Sequence, residues 1–267
     1  MRITLQTLLF ALVAAGSGLC EEKQPTPVSI ETDHGGNPSD ISTDELVLTL
    51  SDGTKKKLTN NGCMERVPVI SHDGALVAFL RRSDTNEDYE VNWDDAVELW
   101  VMRLDNKSET RLIKSLSNPS QAAWHPKQRV LAFIGTDSDG DRALYSYDLS
   151  QKKLSILTSS ADSWPEWSPC GAMIAFYDDD NRVVVFKLGD KREKVLSEDV
   201  GNGWALYWST DGRLVFTEET KGWQIYTPND AKPKPLAKKE HKKLKFIDQE
   251  KFGWAKNKAE QDAAPNP

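Results

Sequence analysis

The sequence predicts an all-β fold, a β-propeller of four-stranded antiparallel blades, on three observations. Four segments repeat one pattern: PVISHDGALVAFLRR from Pro68, AAWHPKQRVLAFIGT from Ala122, PEWSPCGAMIAFYDD from Pro165 and LYWSTDGRLVFTEE from Leu206. Each is followed by two more stretches that alternate apolar and polar residues, the periodicity of strands. No amphipathic stretch of helical period interrupts the series, which argues against an α/β fold.

The equivalent positions Ile70, Trp124, Trp167 and Trp208 are spaced by 54, 43 and 41 residues. A four-strand unit returning at about this interval is a blade, which buries both faces against its neighbours. The first interval is longer because residues 83–97 (SDTNEDYEVNWDDAV) are inserted. The strands of a unit are designated a to d. Between a and b, His72-Asp73-Gly74 and Thr210-Asp211-Gly212 place Asp-Gly at the reversal, where glycine accepts a positive φ and aspartate bonds its own backbone. The third copy keeps Pro169 and Gly171 around Cys170; the second, His125-Pro126-Lys127-Gln128, has no glycine and needs a different turn. The tryptophan before each turn is expected to fill the space between blades.

The run Trp167-Ser168-Pro169-Cys170-Gly171, followed by Ile174-Ala175-Phe176, resembles the repeat of TolB-like (WD40-like PD40) β-propellers. The resemblance spans roughly residues 45–237 at the level of the repeat. It implies the propeller fold and, more loosely, envelope scaffolding; it identifies no partner site.

Taken in order, Arg2, the apolar run Leu5–Val13 and the small residues Ala14–Gly18 read as a secretory signal peptide over 1–20. Cys20, after Ser17-Gly18-Leu19, is the lipidation candidate of an alternative lipoprotein signal. Residues 21–43, rich in Pro, Gly and Ser, read as a flexible tether, 44–256 as the propeller and 257–267 as a disordered tail. Glu45–Thr59 matches strands c and d alone, so another part of the chain must complete that blade. Leu244, Phe246, Phe252 and Trp254 are the C-terminal residues expected to do so, closing a ring of five blades, with four or six as alternatives.

Net charge is −7 over 267 residues, which opposes nonspecific nucleic-acid binding. Residues 231–258 hold ten lysines and three acids, whereas the body before them is strongly acidic. Within the body the acids gather in the b–c loops. Those loops share one face of the disc with the d–a connections, which carry Trp164 and Trp204. The insertion adds Tyr89 and Trp93 to this face. Tyr89, Trp93, Asp94, Asp95, Trp164 and Trp204 are therefore the expected partner-binding residues, with the carboxylates steering a basic protein. A glycan-binding or glycan-cleaving propeller is the alternative, with tryptophans stacking on sugar rings.

No cofactor is expected. Asp137, Asp139 and Asp141 form the weak calcium candidate, short of an EF-hand loop because the twelfth-position Glu and flanking helices are missing. The three cysteines make no disulfide framework, and Cys63 and Cys170 are expected to be separate thiols. No G-x-S-x-G elbow, Walker motif or dinucleotide glycine motif occurs in the expected mature chain, so a non-enzymatic protein is predicted. The expected localisation is periplasmic or outer-membrane-anchored, otherwise secreted, with membrane contact only through a lipid on Cys20.

Overall fold

The computed structural model describes residues 26–33, 44–198, 200 and 205–246. Nineteen strands form five antiparallel sheets, four of four strands and one of three. The first sheet is β1 (Pro27–Asp33), β2 (Glu45–Leu50) and β3 (Lys55–Lys57). The second is β4 (Met64–Ile70), β5 (Leu76–Arg82), β6 (Val97–Arg103) and β7 (Glu109–Arg111). The third comprises β8 (Ala123–Trp124), β9 (Val130–Thr136), β10 (Arg142–Asp148) and β11 (Lys153–Thr158). The fourth is β12 (Ser163–Trp167), β13 (Met173–Tyr177), β14 (Val183–Lys187) and β15 (Arg192–Val195). The fifth is β16 (Leu206–Trp208), β17 (Leu214–Glu218), β18 (Gly222–Tyr226) and β19 (Lys234–Pro235). A short helix, α1 (Lys238–His241), follows.

The second, third and fourth sheets pack apolar residues on both faces, so their central strands read as nearly continuous apolar runs bounded by turns. In β5, Phe79 packs toward the first sheet with Ile30, Leu46 and Leu48, while its neighbour Ala78 faces Leu131 and Phe133 of the third. In β9, Ala132 and Ile134 turn the other way, onto Ile174 and Phe176. Ala175 and Tyr177 meet Leu206, Leu214 and Phe216 across the next gap. The outermost strands carry charge instead, Lys55-Lys56-Lys57 and Arg192-Glu193-Lys194 among them, which discourages edge-to-edge pairing.

The tryptophans stand between blades as expected, and each also ties two blades together. The indole Nε1 of Trp124 donates to the Val69 carbonyl at 3.0 Å, that of Trp167 to Ala123 at 3.2 Å and that of Trp208 to Glu166 at 3.1 Å. At the a–b turns, buried Ser71, Ser168 and Ser209 accept the amide of the residue that opens strand b, or of the one before it (Leu76, Met173 and Arg213), at 3.0 Å. In the second copy His125 stands at the serine's position, and its Nδ1 accepts the Lys127 amide within the turn at 3.1 Å. The buried His125 ring lies against Gly171 of the next blade, so the glycine is required by close approach as well as by its φ of +78°.

Two expectations about the ends are corrected. Pro27–Asp33, read as tether, is strand β1 and pairs along β2 from Pro27↔Leu50 to Asp33↔Glu45. The stretch alternates, with Ile30 buried at 3% exposure, and it supplies the strand b that the first sheet lacked. Leu244 and Phe246 do not join that sheet. Phe246 bridges to Ser209 and, with Leu236 and Leu244, covers Val215, Tyr207, Trp223 and Ile225 on the outer face of the fifth sheet. An apolar face at the end of a row of blades has to be covered, and the chain's own continuation covers it. Among the described residues, no apolar cluster joins the fifth sheet to the first. Phe252 and Trp254 lie outside the described residues, as do Cys20 and the signal segment.

Candidate functional site: the 83–97 loop and the charged end of the second blade

Strand a of the second blade carries Glu65 and Arg66 directly after its first residue, and strand b ends with Arg81 and Arg82; Glu65 and Arg81 face each other in register. Arg81 is enclosed, at 7% side-chain exposure, and gives Nε and Nη2 to Glu65 Oε1 at 2.9 and 2.5 Å and Nη1 to Glu109 Oε2 at 2.6 Å. Its guanidinium also lies 4.6 Å from the centre of the Trp100 ring. Trp100 in turn donates to Glu98, and Glu98 pairs with Arg111. Burial works against the Arg81 charge, and the two carboxylates more than offset it, raising its pKa. This ionic floor was not anticipated from sequence, although charged residues at paired positions of otherwise apolar strands were its visible signal.

The insertion packs beside this floor, on Arg66 and Arg82, the chain neighbours of Glu65 and Arg81. Asp95, expected to meet a partner, is instead 2% exposed. Its Oδ1 accepts from the Thr85 amide and hydroxyl at 2.6 and 3.0 Å, and its Oδ2 accepts from the Asn92 amide at 2.9 Å. Burial raises the pKa of this carboxyl, but the amides of Asn92 and Thr85 outweigh it and hold the group below its ordinary value. Asp84 binds the amides of Asp88 and Tyr89, and Asp88 binds that of Glu90. Much of the acidic character of the loop is thus spent on its own turns, a short-range role open to aspartate and asparagine.

What the loop shows outward is aromatic. Tyr89 is 96% exposed and Trp93 56% exposed. Tyr89 has a φ of +72°, a left-handed conformation costly for a bulky residue and held by the surrounding hydrogen bonds. Trp93 rests against the guanidinium groups of Arg66 and Arg82, 4.7 and 5.2 Å from its ring centre. Arg82 Nη1 also donates to the carbonyls of Trp93 and Asp95, and Arg66 pairs with buried Asp44. Asp94 is exposed, as are Glu87, Asp88 and Glu90.

Trp164 is half-buried against the cluster between the fourth and fifth sheets, so only part of its ring is presented. Trp204 lies outside the described residues. The backbone at Trp164 takes a φ of +56° just before Pro165, and Val67 before Pro68 and Asn118 before Pro119 take +45°. The pairing shifts register at Arg66/Val69 and Ser163/Glu166, marking bulges that swing the start of an inner strand outward. The recurrent proline was the sequence signal for this feature.

The calcium candidate does not converge. Asp137 Oδ1 accepts the amides of Asp139 and Asp141 at 3.0 Å and so closes its own turn. Among the described residues, the acidic group whose oxygens approach within 4.8 Å is Asp178, Asp179 and Asp180. There Arg182 supplies the positive charge, 2.8 Å from both Asp178 and Asp180. Cys63 and Cys170 are free thiols.

Solved structures resemble this architecture. TolB from Acinetobacter baumannii superposes with a TM-score of 0.58 at 16% identity, over 79% of this chain and 53% of that one. The propeller domain of the trilobed protease from Pyrococcus furiosus, described as having an open velcro topology, gives 0.51 at 15% identity, over 85% and 72%. Dipeptidyl peptidase 4 from Porphyromonas gingivalis gives 0.52 at 11% identity, over 73% and 36%. The fold is thus that of a propeller with four-stranded blades. More narrowly, it is similar in fold to TolB, and the chain spans about half the length of the Acinetobacter protein. No family model matches the chain and no curated relative does. Among the described residues, no helix is long and apolar enough to cross a membrane.

Proposed function

We propose that this chain is an exported, non-enzymatic scaffold of the cell envelope that docks a protein partner on the 83–97 loop. The observation that carries this reading is the pairing of an internally tied loop with outward aromatics. Tyr89 and Trp93 stand exposed while Asp95 and Asp84 hold the backbone beneath them. Aromatic anchors on a pre-ordered support bind with little ordering cost. Exposed Glu87, Asp88, Glu90 and Asp94 favour a basic partner and a salt-sensitive approach. Likeness in fold to TolB supports the envelope setting, and the sequence of residues 1–20 supports export.

The test is capture of proteins from an envelope extract by the full chain, by Tyr89→Ala/Trp93→Ala and by a chain with residues 83–97 replaced by a short Gly-Ser turn. The reading expects a protein retained by the first, lost from the other two and weakened by salt. Binding unchanged by both alterations overturns it. Salt-insensitive binding of glycans, lost with Trp93→Ala, would replace it with the sugar-binding alternative. Mass spectrometry of the mature N-terminus tests export and the lipid on Cys20.

A further inference from the structure

On the opposite face, where the a–b and c–d turns emerge, a cavity of about 430 Å³ lies between the first and second blades. Its floor is aliphatic: Leu48, Leu50, Leu58 and Leu76 are buried, and Leu104 is half-buried beside them. Its rim is cationic. Lys56, Arg103, Lys107 and Arg129 line it with a single carboxylate, Asp105. Arg103 pairs with Asp105 at 2.5 Å, and Arg129 pairs with Asp73 at 2.8 Å. Lys107 is fixed across the gap between sheets, its Nζ donating to the carbonyls of Lys57 and Leu58 at 3.0 and 3.2 Å. Counting Asp73, the rim keeps a surplus of two positive charges in a protein whose net charge is −7.

We propose that this cavity binds a single-chain anionic amphiphile, its aliphatic tail on the leucine floor and its headgroup among Lys56, Lys107 and Arg103. The volume lies within the roughly 300–1,000 Å³ usual for small-molecule sites. A floor of leucine side chains offers no hydrogen bond, so a peptide backbone laid there would lose its partners, whereas an alkyl chain loses nothing. The rim selects the sign of the headgroup. Lys56 is exposed and, among the described residues, makes no ion pair, which leaves its ammonium available. The site is separate from the 83–97 loop and stands or falls without it.

Calorimetry of the full chain with dodecyl phosphate, below its micelle concentration, tests the proposal, with dodecyl maltoside and inorganic phosphate as comparison probes. The expected result is saturable one-to-one binding of dodecyl phosphate, at least about tenfold weaker for the neutral amphiphile and undetectable for phosphate alone. Lys56→Glu, a surface change that leaves the fold intact, should weaken dodecyl phosphate about tenfold, and Asp105→Asn should tighten it. No saturable binding, equal binding of the neutral amphiphile, or indifference to Lys56→Glu overturns the proposal.

Discussion

The indole of Trp208 donates to the carbonyl of Glu166 at 3.1 Å, and the next residue, Trp167, sends its own indole to Ala123 in the blade before. The same side chain that fills the gap between blades therefore also satisfies a backbone acceptor of the preceding inner strand. Phenylalanine at either position would keep the ring and strand the carbonyl. Trp208→Phe and Trp167→Phe are each expected to cost about 1–3 kcal/mol in urea denaturation. A smaller loss is expected at Trp124, which is less buried.

Breaking the ionic floor should be more damaging than any surface change. Arg81→Met leaves Glu65, which is fully buried, without its counter-charge, and about 3–5 kcal/mol of stability should be lost. Glu65→Gln in the same chain should recover part of that loss, so a double-mutant cycle reads the pair directly.

Asp94 and Asp95 are neighbours with opposite roles. Asp95→Asn should remove amide protection at Thr85 and Asn92 in hydrogen exchange and weaken partner capture by loosening the loop. Asp94→Asn should leave that protection intact and change only the salt dependence of capture.

The turns carry an acid limit. Asp73 is held down at about 2: burial opposes this, but the Ser71 hydroxyl and the Arg129 guanidinium prevail. Asp211 is held at about 2 chiefly by Arg213. Both carboxyls lie below their unfolded value of 3.8, so their stabilisation is complete above that pH and is lost as pH falls through about 2. Carboxyl titration by NMR, alongside denaturation between pH 5 and 2, checks the sign.

Gly171→Ala places a methyl against the His125 ring at a positive φ. A loss of about 1 kcal/mol or more is expected, partly relieved in the combination with His125→Ala.

The blades were legible because period-two alternation and the Trp-turn-strand unit are local properties, and the structure keeps both. The edges of the fold were less so. Val28, Ile30 and Thr32 alternate, yet they lie between proline- and glycine-rich flanks, and only pairing with Glu45–Leu50 makes them a strand. Leu244 and Phe246 are visibly apolar residues in need of a sheet, but that they cover the fifth and do not complete the first depends on which face lacks a neighbour. For the site, exposure of Tyr89 and Trp93 followed from insertion length and composition. The burial of Asp95 did not, because Asp94 and Asp95 differ only in how a fifteen-residue loop folds back.

The apolar clusters run in chain order and end under Leu236, Leu244 and Phe246. Such an array behaves as a one-dimensional lattice whose cohesion is a sum of nearest-neighbour couplings. Its weakest link sets where unzipping begins, and a terminus held by a few side chains is the natural starting point. Truncation before Leu236 should therefore melt the fifth sheet ahead of the rest, turning a single cooperative transition into a staged one.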